Sequence, residues 1–325
     1  MTKAMRVYQP GGPEAMIWED VEPGDPGPGE ARVRHTAVGL NFIDVYHRNG
    51  LYPLGASPAG IGLEGAGIVE AIGDGVDDVA VGDRIAYAAP PPGSYAEARL
   101  IAADRLVKIP DGVDDRQAAA MMLKGMTAEY LLHRTYRVRA GDTIVFHAAA
   151  GGVGLIASQW ANHLGATVIG TVGTPAKADL ARAHGCHHPI VTSDEDFVAR
   201  ARAVTGGVGV PVVYDSIGKT TFDRSLDCLS PRGLMVSFGQ SSGSVPPLDI
   251  GVLTNKGSLY LTRPTLMAYT ASRADLVASA EALFEVVASG AVRIEINQTY
   301  PLKDAVQAHR DLEARKTTGS TILIP

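Results

Sequence analysis

The sequence is short of cysteine, with only Cys186 and Cys228 in 325 residues. That excludes a disulfide framework and any four-cysteine zinc lobe. Basic residues are also outnumbered, 29 Lys and Arg against 35 Asp and Glu, for a formal net charge of −6. Such a balance leaves no electrostatic footprint for nucleic acid or an anionic membrane. No apolar run approaches the roughly 20 residues needed to span a bilayer. The first twenty residues alternate polar and apolar side chains and lack the apolar centre of a signal peptide, so a soluble protein of the reducing cytoplasm is expected. Metal motifs are missing too. The nine histidines (35, 47, 133, 147, 163, 184, 187, 188 and 309) include no HExxH or CxxC company. Catalytic zinc usually takes three protein ligands and a water, and no such set is visible, so no metal is expected. His187 and His188 are adjacent, their side chains diverge, and a loop position is expected for them.

What the chain does have is apolar material, 46% against 20% charged residues, enough for proper cores and, at this length, for two domains. The first third carries short β-type runs between glycine and proline turns. Arg32 to Leu40 and Gly65 to Ile72 read as strands, Val81 to Ile85 as a turn feeding a strand, and Pro90 to Gly93 as a loop. This spacing suggests a compact β-barrel-like domain. From Asp115 to His133, alanine, methionine and leucine recur at helical spacing, with Gly125 as an interruption. Strands and helices then alternate: Thr143 to His147, Val153 to His163, Thr167 to Val172, Lys177 to Ala183, Val212 to Tyr214 and Leu234 to Phe238. That alternation implies βαβ units and a parallel sheet. A helix (Arg273 to Ser289) and a strand (Thr321 to Ile324) end the chain.

The best local signal is the apolar strand Thr143–His147 running through Ala148-Ala149-Ala150-Gly151-Gly152-Val153-Gly154 into a helix. Glycines let the backbone turn sharply and approach a pyrophosphate, and the helix N-terminus offers N–H groups and a positive dipole end. Ala149 takes the first glycine position of the dinucleotide fingerprint, Gly151 and Gly154 the other two. Two look-alikes lack this context. Gly206-Gly207-Val208-Gly209 precedes Pro211 and a strand, so it reads as a loop. Gly239-Gln240-Ser241-Ser242-Gly243 spells the string of a hydrolase nucleophile elbow, but Val245-Pro246-Pro247 follows where that motif needs a helix.

An NAD-specific fold usually has an acid about 20 positions after the glycines, for the ribose 2′-hydroxyl. Here Thr167–Val172 ends in Gly173-Thr174-Pro175-Ala176-Lys177. Missing acid and nearby lysine together favour NADPH, the alternative for Lys177 taken alone being an ordinary solvated helix residue.

The chain resembles the medium-chain dehydrogenase/reductase superfamily, specifically the zinc-free bacterial NADPH:quinone oxidoreductases related to zeta-crystallin. The likeness rests on Gly39-Leu-Asn41-Phe-Ile-Asp44-Val-Tyr46, Gly50-Leu-Tyr52-Pro53, Leu123-Lys124-Gly125, Phe146 to Gly154, Val213-Tyr-Asp215-Ser, Gly233 to Gly239, Gly257 to Tyr260, Thr262-Arg263-Pro264 and Tyr300 to Asp304. It implies an α/β chain in which a Rossmann doubly wound parallel sheet (residues 124–260) is inserted into a GroES-like β-barrel catalytic domain (1–123 and 261–325), and it implies a homodimer. Zinc relatives carry Gly-His-Glu where this chain reads Gly62-Leu63-Glu64, and Asn41 stands near their first zinc-binding cysteine.

Carried over by resemblance, Asn41, Tyr46 and Tyr52 line the nicotinamide and substrate site and supply catalytic donors. Gly152 and Val153 contact the pyrophosphate, and Gly173, Thr174 and Lys177 hold the adenosine phosphate. Ile217, Phe238, Gly239, Gln240 and Ser241 cradle the ribose and nicotinamide, with Thr127, Tyr130 and Thr192 as further cofactor contacts. Arg263, Pro264 and Thr265, with Arg315, close the site. Thr192 stands where relatives often have tyrosine, which bears on adenine stacking. Read without the family, Tyr46 and Tyr52 have a packing-aromatic alternative, Arg263 a turn-residue one, and Arg315 reads as a solvated helix end.

The expected chemistry is hydride delivery from NADPH to a quinone, with Asn41, Tyr46 and Tyr52 stabilising charge on oxygen. The alternatives are C=C reduction in alkenals or enones and, in a different class, an RNA-binding or structural crystallin-like role.

Overall fold

A computed structural model describes all residues from Met1 to Pro325 and divides them into two compact units. The first comprises Met1–Met126, Thr270–Ala288 and Ile294–Pro325, the second Thr127–Tyr269 with Ser289–Arg293. The breaks therefore fall at 126/127 and 269/270, against 123/124 and 260/261 from the sequence. Two interactions explain the shift. Tyr269 stacks on Tyr130 with ring centroids 4.4 Å apart. The main chain of Arg293 exchanges two hydrogen bonds of 3.0 Å with the Gln159 amide.

The first unit is the GroES-like domain. Its main sheet runs Ile296–Pro301, Ser320–Ile324, Glu30–Leu40, Glu64–Ile72, Arg84–Ala88 and Val107–Lys108, with Ala98–Ala102 on the free half of the long strand Glu30–Leu40. The strand from the far end of the chain, Ser320–Ile324, pairs antiparallel with residues 38–40, so both chain ends build one sheet. Alternation puts Ala31, Val33 and Ala37 inward, where Val33 meets Val69, Ile85, Tyr87 and Ile101. A second sheet joins Met16–Val21, Thr2–Val7 and Ala59–Gly60.

The second unit is a Rossmann domain. Six parallel strands lie in the order His188–Val191, Thr167–Val172, Thr143–Phe146, Val210–Asp215, Leu229–Ser237 and Tyr260–Thr262. The central strands are largely apolar because helices cover both faces of such a sheet; Val145, Ile169, Val213 and Met235 share its core. The order reverses between Thr143–Phe146 and Val210–Asp215, the switch point where a doubly wound sheet places its ligand.

Two expectations are corrected. Gly125 does not interrupt a helix. Asp115–Glu129 runs through it and continues as a π-helical turn, Tyr130–Thr135. A Cβ at Gly125 would stand 2.4 Å from Leu283 Cδ1, so glycine is there for close packing. His188 opens a strand rather than lying in a loop, while His187 Nδ1 accepts from Val168 N at 3.1 Å.

Candidate active site

In the Rossmann unit the strand Thr143–Phe146 leads through Ala148, held at φ 55°, into the helix Gly152–His163. Gly151 caps that helix without a side-chain hydrogen bond, leaving its N-terminus for a ligand. A Cβ at Gly154 would lie 2.3 Å from Ala148 O and 2.7 Å from Ala149 Cα, so the helix can approach the turn only with glycine there. Gly152 and Val153 form the first turn. This cradle fits a dinucleotide pyrophosphate.

The next strand delivers Gly173 and Thr174 to the surface, and Thr174 caps the helix Pro175–Ala183 by accepting from Lys177 N at 3.3 Å. Lys177 is half-buried in that first turn. Thr192, at the end of His188–Val191, folds back on Val172 O through its N–H (3.0 Å) and hydroxyl (3.3 Å).

Past the switch point, buried Asp215 organises two loops. Its Oδ1 accepts from Ile217 N (2.7 Å) and Gly218 N (3.0 Å), its Oδ2 from Thr221 and Ser225 hydroxyls. Ser225 is also 2.9 Å from His147 Nε2, whose other nitrogen meets Thr171 Oγ1 at 2.8 Å. Burial depresses the pKa of this imidazole. Phe238 N donates to Asp215 O and Ser241 N to Ser216 O, and a Cβ on Gly239 would reach Ser216 O at 2.6 Å. Thus Ile217, Phe238, Gly239, Gln240 and Ser241 belong to one knitted loop pair. Arg263 fastens it, donating from Nη1 to Ser237 O and Gly239 O at 2.9 Å. Pro264 is buried beside it, and Thr265 Oγ1 accepts from Ala268 N at 3.3 Å. Thr127 and Tyr130 are buried in this unit. The Gly239–Gly243 string is not followed by a helix, and Gly206–Gly209 is a loop between Phe197–Val204 and Val210–Asp215.

In the GroES-like unit Asn41 ends the strand Glu30–Leu40 and caps the helix Phe42–Arg48, with Asp44 Oδ2 returning to accept from Asn41 N at 2.9 Å. The helix carries Tyr46, which packs edge-on against Tyr52 at 5.2 Å and Phe42 at 5.4 Å, and Tyr52 N donates to Tyr46 O. Asn41 thus caps the helix that carries Tyr46, and Tyr52 packs on Tyr46. The Asn41 amide donates to Glu64 Oε2 at 2.7 Å, where Lys124 Nζ also donates at 2.9 Å. Arg315 stands exposed on the left-handed turn after the helix Ala305–Glu313.

Sequence reasoning assigned no role to Glu64, Lys124, Asp44, His147 or Asp215. A signal existed for Lys124, a lone charge inside the apolar run Met121–Met126, since buried lysine is almost always paired.

A family model described as alcohol dehydrogenase GroES-like domain matches residues 27–111, and one described as zinc-binding dehydrogenase matches residues 152–281. The quinone oxidoreductase of Pseudomonas aeruginosa is 53% identical over 325 residues, covering 100% of both chains. The chain belongs to the quinone oxidoreductase family of medium-chain dehydrogenase/reductases. Among this family's solved structures, Escherichia coli quinone oxidoreductase complexed with NADPH superimposes with a TM-score of 0.98 at 48% identity, covering 99% of this chain and 100% of that one. The 2-haloacrylate reductase of a Burkholderia species is 47% identical over 334 residues, covering 100% of this chain and 99% of that one. Although one family model is described by zinc binding, the donors near Asn41 do not suit a cation in this quinone oxidoreductase relative. Leu63 precedes Glu64, and the Glu64 carboxylate is engaged by an ammonium. No group of three or more His, Cys, Asp or Glu side chains is arranged to hold a metal ion.

Proposed function

We propose that this protein uses NADPH to reduce quinones. The observation that carries the reading is the glycine-built turn at Ala148–Gly154, joined to a second strand whose tip offers Gly173, Thr174 and Lys177 and no carboxylate. A dinucleotide with a 2′-phosphate suits that pair of features, because an acid there would repel the phosphate and a lysine attracts it. NADPH supplies the hydride.

The chain's own residues orient and stabilise. The loop pair fastened by Asp215 and Arg263 would receive the ribose and nicotinamide side through Ile217, Phe238, Gly239, Gln240 and Ser241, with Pro264 and Thr265 beside it, and Arg315 would be a further cofactor contact. Thr127 and Tyr130 would be further cofactor contacts, and Thr192 would offer the adenine no ring to stack on. Tyr46 and Tyr52 hydroxyls and the Asn41 amide donate hydrogen bonds to the quinone oxygen as charge develops there. A quinone becomes aromatic on reduction, so donors of this modest strength suffice.

The protein works as a homodimer in the cytoplasm. Support for the dimer is the edge strand Tyr260–Thr262, which exposes Tyr260 and Leu261 at the end of the parallel sheet, an open edge that a second copy pairs with readily. Support for the compartment is that both cysteines are free and buried and that no helix is long and apolar enough to cross a membrane.

A second reading is reduction of an activated C=C bond, favoured by the haloacrylate relative. The test is NADPH oxidation by the purified protein with para-benzoquinone, an alkenone and chloroacrylate in parallel, and NADH as control. Fast, NADPH-selective turnover of the quinone supports the main reading. Preference for either alkene moves the assignment to the second, and NADPH binding without turnover of any acceptor overturns both.

A further inference from the structure

Glu64 is fully buried at the head of the strand Glu64–Ile72, and donors from two other elements converge on its carboxylate. Leu123 N donates to Oε1 at 2.7 Å, Lys124 Nζ to Oε2 at 2.9 Å and Asn41 Nδ2 to the same Oε2 at 2.7 Å. The two charged side chains are 0% and 7% exposed. Room for the carboxylate comes from Gly39, where a Cβ would stand 2.1 Å from Glu64 Oε2 and 2.3 Å from Ala119 O.

A buried ion pair is a poor device for stability, because desolvating two charges offsets their attraction and apolar side chains of the same volume do as well. It is a good device for orientation. An amide presents a donor on one side and an acceptor on the other, and only its partners decide which way it faces. A carboxylate oxygen paired with an ammonium accepts and does not donate, so it fixes Asn41 with one Nδ2 hydrogen on Glu64 and leaves the second to donate to the substrate oxygen. Lys124 Nζ shares Oε2 with the Asn41 amide and Leu123 N holds Oε1, so both carboxylate oxygens are already committed to donors.

We propose that Glu64 and Lys124 are positioning residues for Asn41, fixing which side of its amide faces the reacting substrate. This rests on the reading of Asn41 as a site residue.

The test is a mutant cycle on the NADPH-loaded full chain with para-benzoquinone. Glu64→Gln offers Asn41 donors as well as an acceptor and lets the amide turn. The expected result is a fall in kcat of about tenfold or more, since small misorientation is costly to a reacting geometry. NADPH affinity, read by nicotinamide fluorescence, stays within about twofold. In an Asn41→Ala background the same Glu64→Gln change costs no further activity, because nothing remains to be positioned. Glu64→Gln leaves a buried ammonium unpaired, so Glu64→Gln combined with Lys124→Met keeps the measurement possible if the single variant fails to fold. The double variant is expected to fold and to show the same loss. A folded variant with wild-type kcat, or losses that multiply in the Asn41→Ala background, overturns the proposal alone. Wild-type turnover by Asn41→Ala itself removes Asn41 from the site, and the proposal falls with that reading.

Discussion

Tyr95 donates its hydroxyl to Asp44 Oδ2 at 2.9 Å, with both side chains fully buried. The direction of that bond is set two residues away. Arg48 Nη1, which can only donate, lies 3.0 Å from His309 Nδ1, so the His309 proton sits on Nε2, 3.1 Å from the Tyr95 oxygen. The whole chain of donors points at Asp44, the residue whose carboxylate also holds Asn41 N. Asp44 Oδ1, by contrast, is buried without a hydrogen-bond partner.

Burial raises the Asp44 carboxyl from 3.8 to about 7, outweighing its hydrogen bonds from Asn41 and Tyr95 and the nearby Lys124 charge. Between those two pH values the native protein keeps a proton that the unfolded chain has released. The stabilisation from neutral Asp44 is therefore complete below the unfolded value and lost as pH rises through about 7. Asp44→Asn stays neutral throughout. The difference in Tm between variant and wild type should shift in the variant's favour from about pH 5 to about pH 8. Thermal melts at several pH values check this, and a pH-independent difference would falsify it. Using the difference matters, because buried His35 and His309, lowered by burial to about 4 and about 3, destabilise the native state as pH falls below the ordinary imidazole range.

Lys177→Ala should weaken NADPH binding by about tenfold, the worth of one ammonium–phosphate contact, and leave NADH binding unchanged. Fluorescence titration with both nucleotides decides it. Equal losses for the two would make Lys177 a helix residue with no part in selecting the phosphate.

Tyr52→Phe removes one hydroxyl while keeping the ring that packs on Tyr46 and His47. Turnover of para-benzoquinone should fall more than NADPH affinity. The loss of a single donor at a developing oxyanion reaches about a hundredfold or more where that donor is well aimed, and a rate equal to wild type would leave Tyr52 as a packing aromatic.

How much of this was readable in advance depended on range. The four inner Rossmann strands were legible because a two-faced buried strand is largely apolar, as in Thr143–Phe146 and Thr167–Val172, while the edge strands His188–Val191 and Tyr260–Thr262 went unread. The glycine turn was legible because strand, glycines and helix follow one another in the chain. The helices Phe42–Arg48 and Ala305–Glu313 went unread; each is under three turns, too short for a periodicity to stand out. The Glu64–Lys124 pair joins positions sixty residues apart, and no local pattern encodes which buried charge meets which. The return of Ser289–Arg293 to the Rossmann unit likewise depends on Gln159, 134 residues from Arg293.

Gly125 shows how a local rule loses to a distant neighbour. Glycine inside a helix costs about 1 kcal/mol relative to alanine, so propensity alone favours Gly125→Ala. The added methyl would meet Leu283 Cδ1 and Cδ2 at 2.4 and 2.5 Å in the helix Arg273–Ala288, and Leu283 is fully buried with little room to yield. Overpacking of this kind costs about 1–3 kcal/mol, more than the helix gains. Gly125→Ala should therefore lower stability, and Leu283→Ala alone should lower it by about 2–5 kcal/mol through the cavity it leaves. Combined, the new methyl partly fills that cavity, so the double variant should lose less than the sum of the singles. Urea denaturation of the three variants measures the coupling. Strict additivity would mean that the two helices separate enough to relieve the contact, and that glycine at this position answers to something other than Leu283.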